Sequence, residues 1–246
     1  MLEEIIEIAH NAGDIILEFY ETNFDIKTKK DNSPVTQADL EADRYIVEAL
    51  KKLDDSIPVI SEESGIPEYD FRKSWTKFWL VDPLDGTKEF INKNGEFTVN
   101  IALIDDGVPV LGVVNVPAHD LTYYASESDG AWKKEGDKET QQIYSKPASK
   151  DQPLVVVQSR SHGSDALEEY LRDFNVKDRV PAGSSLKFCL VAEGKADIYP
   201  RLGPTMEWDV AAGDCVYRYS ALDGAHDSGL SYNKPTLKNE GFVIGF

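Results

Sequence analysis

Residues 79–90 read WLVDPLDGTKEF, an apolar run that ends in two aspartates, a proline and a glycine. Pro83 pre-sets the backbone just after the first carboxylate, so Asp82 and Asp85 converge around a turn, with the Leu84 carbonyl free to point the same way. Two carboxylates and a carbonyl are hard oxygen donors, the set that suits Mg²⁺. With a helix opening at Thr87, the N–H groups of Gly86 and Thr87 lie at its positive end and can hold an anionic oxygen. Read alone, the same pentapeptide is also a good turn with a helix cap.

Two other stretches share the pattern. IPVISEES at 57–64 is an apolar run that ends in Glu62 and Glu63, and EWD at 207–209 sets Asp209 at the start of a helical segment. Acids after a strand or in a helix's first turn are ordinary when solitary. Three such clusters near one cleft are harder to explain by solubility, because like charges brought together repel unless cations neutralise them.

Around these motifs, hydrophobic periodicity lays out the elements. Leu2, Ile5, Ile6, Ala9, Ala12, Ile16 and Phe19 recur at helical spacing over residues 1–21. A second helix is predicted in DNSPVTQADLEADRYIVEALKKL, with Thr36 as its N-cap and Asp39 in its first turn. FTVNIALI and PVLGVVNVPA flank Asp105-Asp106-Gly107 as a hairpin, and LTYYASESDGAWKK repeats the pattern around Ser128-Asp129-Gly130. After the polar stretch KKEGDKETQQIYSKPASKDQP, strands and helices alternate. The expectation is an α+β half over residues 1–150 that carries the metal-binding motifs. An α/β half over 151–246 would contribute the substrate site across a cleft.

The 246 residues include 26 Lys+Arg against 44 Asp+Glu, a formal net charge of −18. That excess argues against binding a nucleic acid polymer, whereas a small anion is acceptable once a metal reverses the local field. No apolar run reaches the roughly 18 residues of a transmembrane segment, and the acidic MLEEIIEIAH does not read as a signal peptide. The expected address is the cytoplasm. Cys189 and Cys215 are too few for a disulfide framework or a zinc site and are read as core thiols. Oligomeric state leaves no trace in the sequence.

In the order SEES, DPLDGT, EWDVAAG the chain resembles the inositol monophosphatase superfamily, the Mg²⁺-dependent, lithium-inhibited phosphatases, over almost its whole length. NSPVTQAD (32–39), DPLDGTKEF (82–90), NGEFTVNIALI (94–104) and GSSLKFCLVAEGKADIYPRLGPT (183–205) are most similar to its bisphosphate nucleotidase branch. That branch converts 3'-phosphoadenosine 5'-phosphate to AMP and phosphate in sulfate assimilation.

The resemblance implies a layered αβαβα sandwich, mixed α+β and α/β in class. It implies two or three Mg²⁺ ions held by Glu62, Asp82, the Leu84 carbonyl, Asp85 and Asp209, with Glu62 rather than Glu63 as the ligand. Asp39 and Thr87 would orient and deprotonate the attacking water, with no covalent phosphoenzyme. Gly86, Thr87 and Lys88 would hold the reacting phosphate, and Asp209 would close the site beside the substrate. Ser159 and His162 of QSRSH, with Gly183, Ser184, Ser185 and Lys187 of GSSLK, would contact the nucleotide. Arg160 and Arg201 are expected to add charge to the same cleft. A peripheral address at the cytoplasmic face of the inner membrane is also implied, although no anchor is present and anionic lipid would repel a charge of −18.

Two other readings stand beside this one. An inositol or sugar monophosphatase would use the same chemistry with a different pocket beyond the metals. A non-catalytic metal- or nucleotide-binding sensor would have no need of the Asp39 and Thr87 pair. The loop ESGIPEYDFRKSW (63–75) matches no motif, and Met206 and Glu207 have no assigned role.

Overall fold

Both amphipathic patterns of the N-terminal segment fold as helices, and the apolar runs after them fold as one large sheet. The structure, a computed structural model, describes residues 1–22, 26–28, 34–160 and 165–246. The elements begin with α1 (Leu2–Tyr20), β1 (Ile26–Thr28), β2 (Pro34–Thr36), α2 (Gln37–Leu53), β3 (Val59–Ser61), α3 (Tyr69–Arg72), β4 (Lys77–Asp85) and α4 (Thr87–Ile91). Next come β5 (Thr98–Asp105), β6 (Val108–Val116), β7 (Leu121–Ser126), β8 (Gly130–Glu135), β9 (Gln141–Gln142) and β10 (Leu154–Ser159). The chain continues with α5 (Asp165–Leu171), β11 (Val176–Ala182), α6 (Leu186–Ala192), β12 (Tyr199–Arg201), β13 (Thr205–Met206), α7 (Glu207–Arg218), β14 (Lys238–Asn239) and β15 (Phe242–Ile244).

The seven-stranded sheet has the order β3-β4-β5-β6-β7-β8-β9. β3 and β4 are parallel and β4 to β9 antiparallel. Each face is buried. Trp79, Val81, Ile101 and Val113 pack with Ile5, Ile16, Ile46 and Leu50 of α1 and α2. The alternate residues Phe78, Leu80, Ala102 and Val114 pack with Ala212, Cys215 and Val216 of α7. A sheet covered on both sides needs apolar side chains in both directions, which is why Phe78–Val81 of β4 and Ile101–Ile104 of β5 read as continuous apolar runs. α7 lies close on β6 at Gly112, where a Cβ would stand 2.6 Å from the Cys215 Cβ and 2.8 Å from the Ala212 carbonyl oxygen.

Beyond α6 and α7, β10 pairs in parallel with β11, Val156 bridges to Ile198 at the start of β12, and β12 pairs with β15. α5 closes the outside through Leu167 and Leu171 on Leu154 and Val156. The layers therefore run α, β, α, β, α, as expected. The polar stretch before residue 153 is built into this fold: Gln141–Gln142 form the edge strand β9, and Ser145 bridges to Ala221. Cys189 and Cys215 are buried free thiols. Among the described residues, no helix is long and apolar enough to cross a membrane.

Candidate active site

Strand β4 does not stop at Asp82 but continues to Asp85 through an irregularity. Asp82 pairs with Asn100 and Asp85 with Thr98, so three steps along β4 match two along β5. In a regular strand, residues three apart point to opposite faces; one extra residue brings them back to the same face. Pro83, which cannot donate to a ladder, supplies the signal for that bulge. The Leu84 N–H donates to Asp82 Oδ1 at 3.1 Å, fixing the turn locally. Gly86 follows at φ 87, a left-handed conformation that favours glycine, and starts the short helix α4.

The first turn of α2 faces this turn. Asp39 Oδ2 accepts the Thr36 N–H at 2.8 Å and the Thr36 hydroxyl at 2.6 Å, while its Oδ1 accepts the Thr87 hydroxyl at 3.3 Å. The predicted N-cap and the predicted Asp39–Thr87 pair are thus parts of one bonded unit. The Thr87 hydroxyl also lies 3.4 Å from the Leu84 carbonyl oxygen. Glu62 emerges at the end of β3, its N–H on the Val81 carbonyl at 3.2 Å. Asp209 lies in the first turn of α7 and accepts the Met206 N–H at 2.8 Å.

Carboxylate oxygens of Glu62, Asp82 and Asp209 lie within 4.8 Å of one another. Asp85 stands outside that triad but lines the same cavity, a cleft of about 430 Å³ that also touches Leu84, Gly86, Thr87 and Lys88. Burial, reinforced by Glu62, Asp85, Asp209 and Asp39, pushes the Asp82 carboxyl well above the usual carboxylate range. Burial raises Asp209 in the same way, with Asp85 the next contributor. Asp85 is pushed up to about 6 by burial, against the pull of Lys187. Such a site is short of positive charge. Its donors are hard oxygens gathered at one point, so the residues present fit a divalent cation of the Mg²⁺ type.

The start of α6 also lines the cleft. Thr98 and Asn100, buried polar residues at alternate positions of β5, reach across to Ser184 and Ser185. The Thr98 and Ser184 hydroxyls are 2.9 Å apart, and Asn100 Nδ2 donates to Ser185 Oγ at 3.0 Å and to Asp85 Oδ2 at 3.4 Å. Ser184 Oγ donates to the Asp85 carbonyl at 3.1 Å. Lys187 is buried, its ammonium donating to the Ser184 carbonyl at 2.5 Å, and burial pulls its pKa down to about 8. Arg201 lines the cavity and carries a buried Nε–H without a hydrogen-bond partner among the described residues. A neighbouring hollow of about 230 Å³ shares Ser159, Tyr199 and Arg201 with the cleft.

Several expected contacts fall elsewhere. Arg160 does not supply free charge to the cleft: it forms a paired ion bridge to Glu96, Nε to Oε2 at 2.8 Å and Nη2 to Oε1 at 2.5 Å. The Gly183 N–H is also turned to Glu96, at 2.8 Å, and Gly183 is not among the residues lining the cleft. His162 lies outside the described residues. Sequence reasoning missed Thr98, Asn100 and Glu89. The first two were detectable as polar residues two apart in an otherwise apolar strand. Glu89 is buried and lines the cleft, but a charged residue in a short helix carries no such signal.

The inositol monophosphatase family model matches residues 1–219. The 3'(2'),5'-bisphosphate nucleotidase CysQ of Escherichia coli K12 is 50% identical over 230 residues, 92% of this chain and 89% of that protein. The protein of the same name from Haemophilus influenzae is 36% identical, covering 99% of this chain and 92% of its own length. The crystal structure of CysQ from Bacteroides thetaiotaomicron, described as a bacterial member of the inositol monophosphatase family, matches with a TM-score of 0.81 at 41% identity, over 98% of this chain and 95% of that one. This chain, with its acidic triad just past β3, on β4 and on α7, belongs to the inositol monophosphatase family.

Proposed function

We propose that this chain is a Mg²⁺-dependent 3'(2'),5'-bisphosphate nucleotidase that hydrolyses 3'-phosphoadenosine 5'-phosphate to AMP and phosphate. The observation that carries the reading is a cleft that holds both signs of charge. Glu62, Asp82 and Asp209 converge in it, and Lys187 and Arg201 line it as well. Acids that hold a cation, with two further cationic side chains in the same cleft, suit a substrate with two phosphates better than one with a single phosphate. Half-identity with relatives named for this activity supports the same choice.

When bound, a divalent cation supplies a Lewis acid for the phosphoryl oxygens and the positive charge that these carboxylates lack. Glu62, Asp82, Asp209 and the Leu84 carbonyl would hold the cation, with Asp85 beside them. The Thr87 hydroxyl donates to Asp39 Oδ1, which leaves its lone pairs open to a water's hydrogen on the cleft side. A proton leaving that water passes to Thr87 Oγ as the Thr87 proton moves to Asp39 Oδ1. Thr36 keeps Asp39 in place through both bonds to Oδ2. The Gly86 and Thr87 amides open α4 towards the cleft, where phosphate oxygens would lie. Lys187 and Arg201 would take the second phosphate.

The test is phosphate release from 3'-phosphoadenosine 5'-phosphate with Mg²⁺, in parallel with an inositol monophosphate. Asp82→Asn is expected to cost about 10²-fold or more in turnover, since even outer partners of a metal site cost about 10- to 100-fold. Near-normal turnover by Asp82→Asn would sink the reading. Faster release from the monophosphate would move the substrate assignment, and nucleotide binding without release would favour a sensor.

A further inference from the structure

Two parts of the chain that the proposed reaction leaves unused, the loop 63–75 and Glu207, meet at a third segment. Glu207 opens α7 two residues before Asp209 and has no solvent-exposed surface. Its carboxylate accepts the N–H of Asn233 at 2.7 Å on Oε2 and of Lys234 at 2.9 Å on Oε1, and pairs with the Lys234 ammonium at 2.8 Å. Arg72, at the end of α3, is equally buried and grips the same segment from the other side. Its Nη1 donates to Asn233 Oδ1 at 2.6 Å, and its Nη2 to the carbonyls of Lys234 and Pro235, each at 2.8 Å. Asn233 Nδ2 returns to the carbonyls of Arg72 at 2.9 Å and Trp75 at 3.3 Å.

A buried guanidinium is expensive to desolvate, and one bonded only to neutral oxygens recovers little by Coulomb attraction. Glu207 is the first group that opposes the fall in the Arg72 pKa caused by burial, with Tyr69 next. The arrangement ties together the segments that carry the metal-site acids. The loop leaves β3 directly after Glu62 and re-enters the sheet at β4, which carries Asp82; Glu207 begins the helix that carries Asp209. The carboxylates repel one another and would drift apart if those segments were free to move.

We propose that Arg72 and Glu207 are positioning residues that clasp Asn233–Pro235 between them and so set the gap between Glu62 and Asp209 to the width a divalent cation needs. The inference rests on the metal site of the proposed function, and it adds the part of the chain that preorganises it. A site held open at the right width gives up less binding energy to ordering when the ion arrives.

Asn233→Gly tests the clasp at its centre. Asn233 has φ 67, which glycine adopts without strain, so the substitution keeps the N–H bonded to Glu207 and removes all three side-chain bonds to the loop. Glu207→Gln weakens the other grip, because its amide group would face a donor where an oxygen accepts now. Binding of Mn²⁺ to substrate-free protein, followed by electron paramagnetic resonance, is measured beside thermal unfolding in chelator. Each variant is expected to raise the Mn²⁺ Kd about tenfold. The Mg²⁺ concentration for half-maximal turnover should move in parallel, while kcat at saturating Mg²⁺ stays within about twofold. A lower melting temperature with an unchanged Mn²⁺ Kd would overturn the proposal, since the clasp would then serve stability alone. Should Glu207→Gln fail to fold, Asn233→Gly decides by itself. Wild-type protein that holds no Mn²⁺ would overturn the metal site and the clasp with it, a result distinct from equal binding by wild type and variant.

Discussion

Lys187 is a buried cation whose nearest oxygens are the Ser184 and Ala182 carbonyls, at 2.5 and 3.5 Å. Burial lowers its pKa to about 8 and the Asp85 carboxylate holds it up. It therefore titrates in a range where the enzyme can be assayed. As pH rises through about 8, the free enzyme loses this charge, so kcat/KM for the bisphosphate should fall while kcat, measured with the anion already in place, changes less. Lys187→Met should raise KM by about 10- to 100-fold, the worth of one hydrogen bond to a charged group, and abolish that basic limb. An unchanged pH profile in the variant would show that another group carries the second phosphate. Lys187 was legible through the resemblance, as the lysine of the Gly-Ser-Ser-Leu-Lys segment. The difference between Arg201 and Arg160 was not: two arginines of the same expected role diverge because Glu96 pairs with one of them from 64 residues away.

Helix α2 does two tasks with residues one turn apart. Asp39 faces Thr87, and Asp43 accepts hydroxyl bonds from Ser61 and from Ser64, the latter at 2.6 Å, on either side of Glu62 and Glu63. The serines of SEES thus anchor the turn that presents Glu62. Asp43→Ala should remove about 1–3 kcal/mol of stability by stranding these hydroxyls, or roughly 2–4 °C in Tm per kcal/mol for a chain of this size. It should also raise the Mg²⁺ concentration needed for half-maximal turnover; a shift in Tm alone would restrict Asp43 to a structural part. At this scale the sequence was informative wherever the period was regular. Helices α1 and α2, the Asp106-Gly107 hairpin and the Thr36 cap all appear where periodicity and turn chemistry place them. The bulge in β4 was visible only as a proline inside an apolar strand. The clasp by Arg72 was hidden, because side-chain bonds to carbonyls 162 and 163 positions away impose no pattern on either segment.

Across the whole molecule, Glu62, Asp82 and Asp209 come from just past β3, from β4 and from α7, and they meet only because α7 packs against the large sheet on the side away from α1 and α2. Folding therefore forces acids together, and the metal-free protein should bear the cost. A carboxyl whose folded-state pKa stands above its unfolded value near 3.8 binds protons more tightly when folded, so its contribution to stability falls as pH rises through that interval. For Asp85 the loss runs up through about 6, and Asp82 and Asp209, both raised well above the ordinary value by burial, act in the same sense. Asp82→Asn removes one of the repelling charges at nearly constant volume. In chelator at about pH 8, this variant should melt a few degrees above wild type, and the gap should narrow towards about pH 5, where the wild-type carboxyls accept protons. Saturating Mg²⁺ should reverse the order, because only wild type keeps the full ligand set. A variant that melts no higher than wild type at the alkaline end in chelator would mean that the acids are relieved by some other charge, and the demand for a cation at this cleft would lose its electrostatic basis.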